Sequence, residues 1–192
     1  MRIGVIGVQG AVEEHIDVVN SIRPDTAFWM RKPEEVDAFI IPGGESTTIT
    51  KLMQSTGLWD LVKNSGKPVL GTCAGMIVLA KEGVGDSEKT GQEHMGLLNC
   101  RVNRNAFGRQ RESFEAEIDF DNQKFNGVFI RAPLVEEVYA GCKVICKFEE
   151  KIVGVEQGNV VGLSFHPELA GDARVHEWFV EKIKNGKFGN RI

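Results

Sequence analysis

The chain is short of several things that would point to other classes of protein. No apolar run approaches the roughly 20 residues that a membrane-spanning helix needs. Neither sign of charge dominates: 23 Lys and Arg face 27 Asp and Glu, for a net charge of −4. That balance leaves no basic footprint for nucleic acid. Lys182, Lys184 and Lys187 form a modest basic tail and read as a solvated helix end. Cysteine is sparse, at Cys73, Cys100, Cys142 and Cys146, and the spacing fits no zinc pattern. An even cysteine count can mean disulfides in a secreted protein. Here Met1-Arg2-Ile3-Gly4-Val5-Ile6-Gly7 reads as a first strand, with no signal-peptide cleavage region. A reduced, cytoplasmic setting is the expectation. There is no phosphate loop with lysine either, so no cofactor and no metal are expected.

What is present is an ordinary globular composition over 192 residues, which predicts one domain, 1–192, with a sizeable core. Strands are predicted at 2–8, 26–30, 37–41 and 68–72. Helices are predicted at 10–22, 47–55, 58–65 and 74–82. The polar stretch 83–96 reads as an exposed loop. Beyond it the pattern turns to strands, at 97–103, 115–120, 128–131, 137–148, 152–157 and 160–165, before a final helix over 171–184. Alternation first and strands later predict an α/β fold: a doubly wound, mostly parallel sheet with antiparallel additions.

The chemistry concentrates at Gly71-Thr72-Cys73-Ala74-Gly75, directly after the apolar run at 68–70. A strand that ends in Gly-x-Cys-x-Gly and enters a helix makes a sharp turn with the thiol at its apex. The glycines leave room where a Cβ would clash. A helix N-terminus and a nearby imidazole both favour the reactive thiolate. Among the four histidines, His166 follows the apolar stretch 160–165 and precedes Pro167-Glu168. In extended backbone, residues two apart face the same way, so His166 and Glu168 are expected to share a site. A thiol, a base and an acid that orients the base are the parts of covalent acyl transfer. His15 and His176 fall in helical patterns and read as surface residues. His94 reads as loop. The strand at 37–41 runs into Pro42-Gly43-Gly44-Glu45-Ser46-Thr47, whose glycines expose backbone N–H groups to an anion. Ser46 and Thr47 read as the cap of the next helix. Sites in open α/β sheets gather at these strand ends.

These segments resemble a class I glutamine amidotransferase domain of flavodoxin-like fold. Four further segments make the chain similar to the glutaminase subunits of pyridoxal 5′-phosphate synthase: residues 7–11 around Gln9, 104–110 from Arg104, 127–133 around Ile130 and Arg131, and 164–169 around His166. The resemblance implies that Cys73 is the nucleophile, His166 the base and Glu168 its partner. It implies that Gly44, Glu45, Ser46, Arg104, Ile130 and Arg131 line a site for L-glutamine. Gly43 and Gly44 would supply an oxyanion donor, with Gln9 nearby in the first strand–helix loop. Without the resemblance, Arg104 reads as a solvated charge beside Arg101, Arg109 and Arg111. The implied partner is the synthase subunit that consumes the ammonia, because no length remains here for a domain that would use it. Two other readings stay open on the residues alone. One is a stand-alone cysteine hydrolase of the same architecture. The other is a nucleotide-binding module resting on Gly4-x-x-Gly7-x-x-Gly10, which is not the dinucleotide spacing.

Overall fold

The structure, a computed structural model, describes residues 1–84, 91–104 and 113–188. Of the segments singled out above, 85–90, 105–110 and 111–112 lie outside the described residues, and so do Arg109 and Arg111.

Five parallel strands form the heart of the sheet. β1 (Ile3–Ile6) lies between β2 (Ala27–Met30) and β3 (Ala38–Ile41), followed by β4 (Val69–Thr72) and β12 (Val160–Leu163). The strands in between in sequence extend the sheet outward: β5 (Ala80–Val84), β6 (Leu98–Asn103), β9 (Leu134–Val138), β10 (Lys143–Phe148) and β11 (Lys151–Gln157). Here the pairing is mostly antiparallel, through β12–β11, β10–β11, β11–β9 and β9–β6, while β5 pairs parallel to β6. A separate hairpin joins β7 (Ser113–Phe120) to β8 (Gln123–Ile130). Its two-residue loop, Asp121-Asn122, takes φ of 49° and 62°, the left-handed pair that suits the twist of a tight hairpin.

The alternation of each central strand divides the core into two layers. Ile3, Val5, Ala38, Ile40, Leu70 and Val161 point to the face covered by α1 (Val12–Ile22) and α5 (Arg174–Lys184). Ile6, Phe39, Ile41, Val69 and Val160 point to the other face, covered by α2 (Ser46–Thr56), α3 (Leu58–Asn64) and α4 (Ala74–Leu79). All these strand residues are buried, as period-two side chains of a sheet covered on both faces must be. No described helix is long and apolar enough to cross a membrane.

The spaced glycines of the first strand are explained by this packing. A Cβ at Gly4 would sit 2.4 Å from Met30 Sδ, and one at Gly7 would sit 1.5 Å from the Trp29 ring. Gly4 and Gly7 are glycines so that β2 side chains can cross over them, while Gly10 lies against the Gly43 carbonyl.

Three expectations are corrected here. The helix predicted to 82 stops at Leu79 and the chain turns into β5, because Ala80–Val84 finds a partner in β6. The strand predicted over 137–148 is two strands, β9 and β10, broken by a turn in which Cys142 N–H donates to Tyr139 O at 3.1 Å. The strand predicted to 165 ends at Leu163, and residues 167–169 form a 3₁₀ turn.

The hairpin packs through aromatic rings onto the segment that carries His166. Phe165 is fully buried, with its ring centroid 5.8 Å from those of Phe125 and Phe129. Phe165→Ala should destabilise the protein by about 3–5 kcal/mol, the range for an aromatic removed from a packed core. Urea unfolding measures it. A loss under about 1 kcal/mol would mean that the hairpin contributes little to holding that segment.

Candidate active site

Loops at the carboxyl ends of β1, β3, β4 and β12 open onto one pocket of about 860 Å³. It lies beside the point where chain order reverses, since β1 has β2 on one side and β3 on the other. Its lining includes Gln9, Gly43, Gly44, Glu45, Ser46, Cys73, Arg104, Ile130, Arg131 and His166. The site residues named from the sequence therefore converge, except Glu168, which lies beneath His166. A second cavity, of about 470 Å³, lies between the hairpin and α5, and its lining includes none of these residues.

Cys73 forms the apex between β4 and α4, with φ 48° and ψ −105°. A non-glycine residue adopts this backbone only under constraint, at a cost on the order of 1–3 kcal/mol. The constraint is visible. Cys73 N–H donates to Leu163 O at 2.8 Å, and Met76 N–H donates back to Cys73 O at 3.1 Å. The flanking glycines allow close approach rather than positive φ. A Cβ at Gly75 would lie 2.1 Å from Ile41 O, and one at Gly71 would lie 2.5 Å from Leu79 Cδ1. The Sγ lies 3.8 Å from the Ile130 carbonyl, to which the thiol donates.

His166 and Glu168 share the site, but not by the expected route. The backbone is not extended there. His166 caps the 3₁₀ turn Pro167–Leu169, which swings Glu168 under the ring. His166 Nδ1 lies 2.7 Å from Glu168 Oε1. Burial opposes a charged His166, but hydrogen bonds with Cys73 and Glu168 outweigh it and raise its pKa to about 10. An imidazole whose charged form is held by these two neighbours can take a proton from the thiol, and once the sulfur is no longer charged it can release that proton to a leaving group. Gly43 is glycine because the ring lies against it: a Cβ there would be 2.3 Å from His166 Cε1 and 3.4 Å from Cys73 Cβ.

The other wall is set by Glu45. It, and not Ser46 or Thr47, is the N-cap of α2, its carboxylate accepting from the N–H groups of Thr47 at 3.1 Å and Thr48 at 2.6 Å. Arg104 donates to the same carboxylate and to Thr47 Oγ1 at 3.3 Å. Burial acts against the charge of Glu45, but the bonds from Thr48 and Arg104 prevail and bring its pKa to about 2. Arg104 is therefore not a solvated charge. Gln9 Oε1 accepts from Glu45 N–H at 2.8 Å, and Ala11 N–H donates to Gly43 O at 3.3 Å, so the first loop is stitched to the glycine turn. Ser46 is buried and donates through Oγ to Gln92 Oε1 at 2.8 Å. Sequence reasoning misses Gln92, because it lies in a stretch with no periodicity. Ile130 is half-exposed at the pocket, and Arg131 leaves β8 with φ 45°.

The largest correction concerns His15 and His176. Both are fully buried. His15 Nε2 lies 3.3 Å from Glu168 Oε2 and 3.1 Å from Thr72 Oγ1, and its Nδ1 lies 2.8 Å from His176 Nε2. The signal is in the spacing. Val12, His15 and Val19 fall on one helical face, as do Val175, His176, Phe179 and Val180. The polar character of histidine argues for the surface, but the stripe argues for the core.

Against this geometry, a family model described as the SNO glutamine amidotransferase family matches residues 5–185. The chain belongs to that family. It is 53% identical to the pyridoxal 5′-phosphate synthase subunit PdxT of Thermococcus onnurineus, over 95% of this chain and 98% of that one. It is 47% identical to the PdxT of Methanosarcina acetivorans, again over 95% of this chain and 98% of the relative. Among solved structures, one described as a glutamine amidotransferase superimposes with a TM-score of 0.87 at 41% identity, covering 96% of this chain and all of that one. A glutamine amidotransferase from Thermotoga maritima shares the fold at a TM-score of 0.60 and 16% identity, covering 97% of this chain and 85% of that one.

The electrostatics beneath His166 make a stability prediction. Burial pushes the Glu168 carboxyl up, but His15 and His166 more than offset this and hold it below its ordinary 4.5. A depressed folded-state pKa stabilises above the unfolded value, and the benefit is lost as pH falls through the folded one. Glu168→Gln should therefore flatten the loss of stability below about pH 4.5. Chemical denaturation across pH 3–7 tests it. An acid limb identical to that of the wild type would show that the carboxylate is not a stabilised anion.

Proposed function

We propose that this chain is the glutaminase subunit of a pyridoxal 5′-phosphate synthase, a single-domain cytoplasmic enzyme that hydrolyses L-glutamine and passes the ammonia to its synthase partner. The observation that carries it is the strained Cys73 elbow facing the His166–Glu168 pair, in a chain about half identical to subunits of that name.

The reaction follows from the positions. Cys73 Sγ attacks the carboxamide carbon of glutamine, and the carbonyl oxygen becomes an oxyanion. A backbone N–H of the Gly43–Gly44 turn receives that charge once the turn adopts the competent arrangement. His166 gives its proton to the departing nitrogen, ammonia leaves, and a thioester remains. His166, now neutral, takes a proton from water, which attacks the thioester carbon. Glutamate leaves and Cys73 is restored. Glu168 holds the ring and balances its charge. Arg104, held at the pocket wall by Glu45 and Thr47, supplies the positive charge that the substrate α-carboxylate meets, with Ile130 and Arg131 as a second contact and Ser46 completing the wall.

The thiol assignment has a direct test. Cys73→Ala should abolish glutamine hydrolysis and leave the melting temperature close to that of the wild type, since little packing is lost. An electrophilic glutamine analogue should label Cys73 in the wild type. Labelling at Cys100, Cys142 or Cys146 with Cys73 untouched would sink the assignment.

Regulation by the partner is part of the same reading. The Gly43 carbonyl is engaged by Ala11, and the Glu45 N–H by Gln9, so the glycine turn is held by the β1–α1 loop. Gly10 and Gly44, at φ 106° and 150°, give both segments freedom that other residues lack. A protein docking on this loop can therefore select the arrangement that receives the oxyanion. The isolated chain should be a poor glutaminase that the synthase subunit activates. Gln9→Leu should weaken that activation more than it weakens glutamine binding. Full activity of the purified chain, unchanged by excess synthase, would refute the switch and favour a stand-alone hydrolase.

A further inference from the structure

Glu168 has one oxygen committed to His166, at 2.7 Å. Its other oxygen, Oε2, is buried and makes no well-formed hydrogen bond among the described residues. The group that faces it is His15 Nε2, at 3.3 Å, on a side chain that is itself fully buried. A bare carboxylate oxygen in a dry interior is costly, so the proton state of His15 matters.

The proton positions follow from His176. Its Nδ1 is buried and has no hydrogen-bond partner among the described residues. A buried N–H without an acceptor costs more than a buried lone pair, so the His176 proton belongs on Nε2. From there it is donated to His15 Nδ1 at 2.8 Å. That leaves the His15 proton on Nε2, which is hydrogen-bonded with Thr72 Oγ1 at 3.1 Å and lies 3.3 Å from Glu168 Oε2, the nearest positive pole to that bare oxygen. The reverse arrangement would put an imidazole lone pair against a carboxylate and leave an orphaned N–H on His176.

We propose that His15 is a positioning residue for the Glu168 carboxylate: its Nε2–H pole is set against Oε2 from α1, close enough to donate to it when the site is at work, and His176 on α5 fixes the tautomer in which it can do so. The proposal rests on the reading of Cys73, His166 and Glu168 as the reacting set. The charged and titratable groups that face His15 are Glu168, His166, His176 and Glu14. Burial lowers the pKa of His15, against the pull of the Glu168 charge, and burial also lowers that of His176, to about 3. A lowered pKa suits the role. A neutral donor stabilises the carboxylate without a second positive charge to compete with the His166 imidazolium for it. Losing that donor should raise the proton affinity of Glu168. A protonated Glu168 no longer supports the imidazolium, so activity should fail at a higher pH.

The test compares His15→Leu, which has no donor, with His15→Gln, whose amide N–H can reach the same oxygen. In complex with the synthase subunit, His15→Leu should lower kcat about tenfold or more, the scale at which groups that orient a functional histidine act. KM for glutamine should stay within about twofold of the wild type, and the acid limb of the pH profile should move to higher pH. His15→Gln should restore most of kcat and return the limb. The same limb should be read from the rate of Cys73 alkylation by iodoacetamide on the isolated chain, which needs neither glutamine nor partner. If His15→Leu does not fold, His176→Phe removes the donor to Nδ1 and serves in the same comparison. An active wild type whose acid limb is unmoved by these changes, or a Gln variant no better than a folded Leu variant, would overturn the proposal. A moving alkylation limb in a chain that shows no glutaminase activity even in complex with the synthase subunit would instead preserve it and overturn the reaction assigned above.

Discussion

The site depends on one constraint: the backbone of Cys73 must stay in a conformation that its own side chain disfavours. The anchors are tertiary. Cys73 N–H is held by Leu163 O on β12, and Gly75 lies so close to Ile41 on β3 that no side chain fits between them. The neighbours that hold the elbow also end beside the pocket. β3 leads into the glycine turn, and β12 leads to His166. Strain at Cys73 and delivery of the groups around its thiol are therefore one arrangement. A protein that relaxed the elbow would also move the His166 imidazole.

Much of this is legible from residue types and spacing. Gly71, Cys73 and Gly75 announce the elbow, and Gly43 and Gly44 announce the second turn. The central strands show as short apolar runs bounded by glycine and proline, because a sheet buried on both faces needs them. Boundaries fare worse where a neighbour decides them. Nothing local ends α4 at Leu79; β6 supplies the partner that draws the next residues into a strand. Likewise, the Asp121-Asn122 hairpin carries no Asn-Gly signal, which hides the first half of β8.

The polar errors share a cause. Residue type makes Glu45 a wall residue and Ser46 the cap, yet Glu45 does both jobs and the Ser46 hydroxyl turns inward to Gln92. The chemistry of His15 and His176 points to the surface, while their place on a helical stripe points inward. In each case the deciding partner is far away in sequence, 46 residues for Ser46 and 161 for the histidine pair. Sequence patterns report what a residue prefers on average. They do not report a buried acceptor that arrives from the far end of the chain.

That last separation has a consequence for the making of the protein. Synthesis runs from the amino end, and the thiol at residue 73 is complete long before the groups that assist it. His166 and Glu168 follow much later, and α5 brings His176 against α1 later still. A nascent chain on the ribosome thus carries Cys73 without its Leu163 anchor and without the His166 imidazole, and these groups come together only after β12 and the segment behind it have been made. On the reading of Cys73, His166 and Glu168 as the reacting set, hydrolytic power is among the last properties the fold acquires.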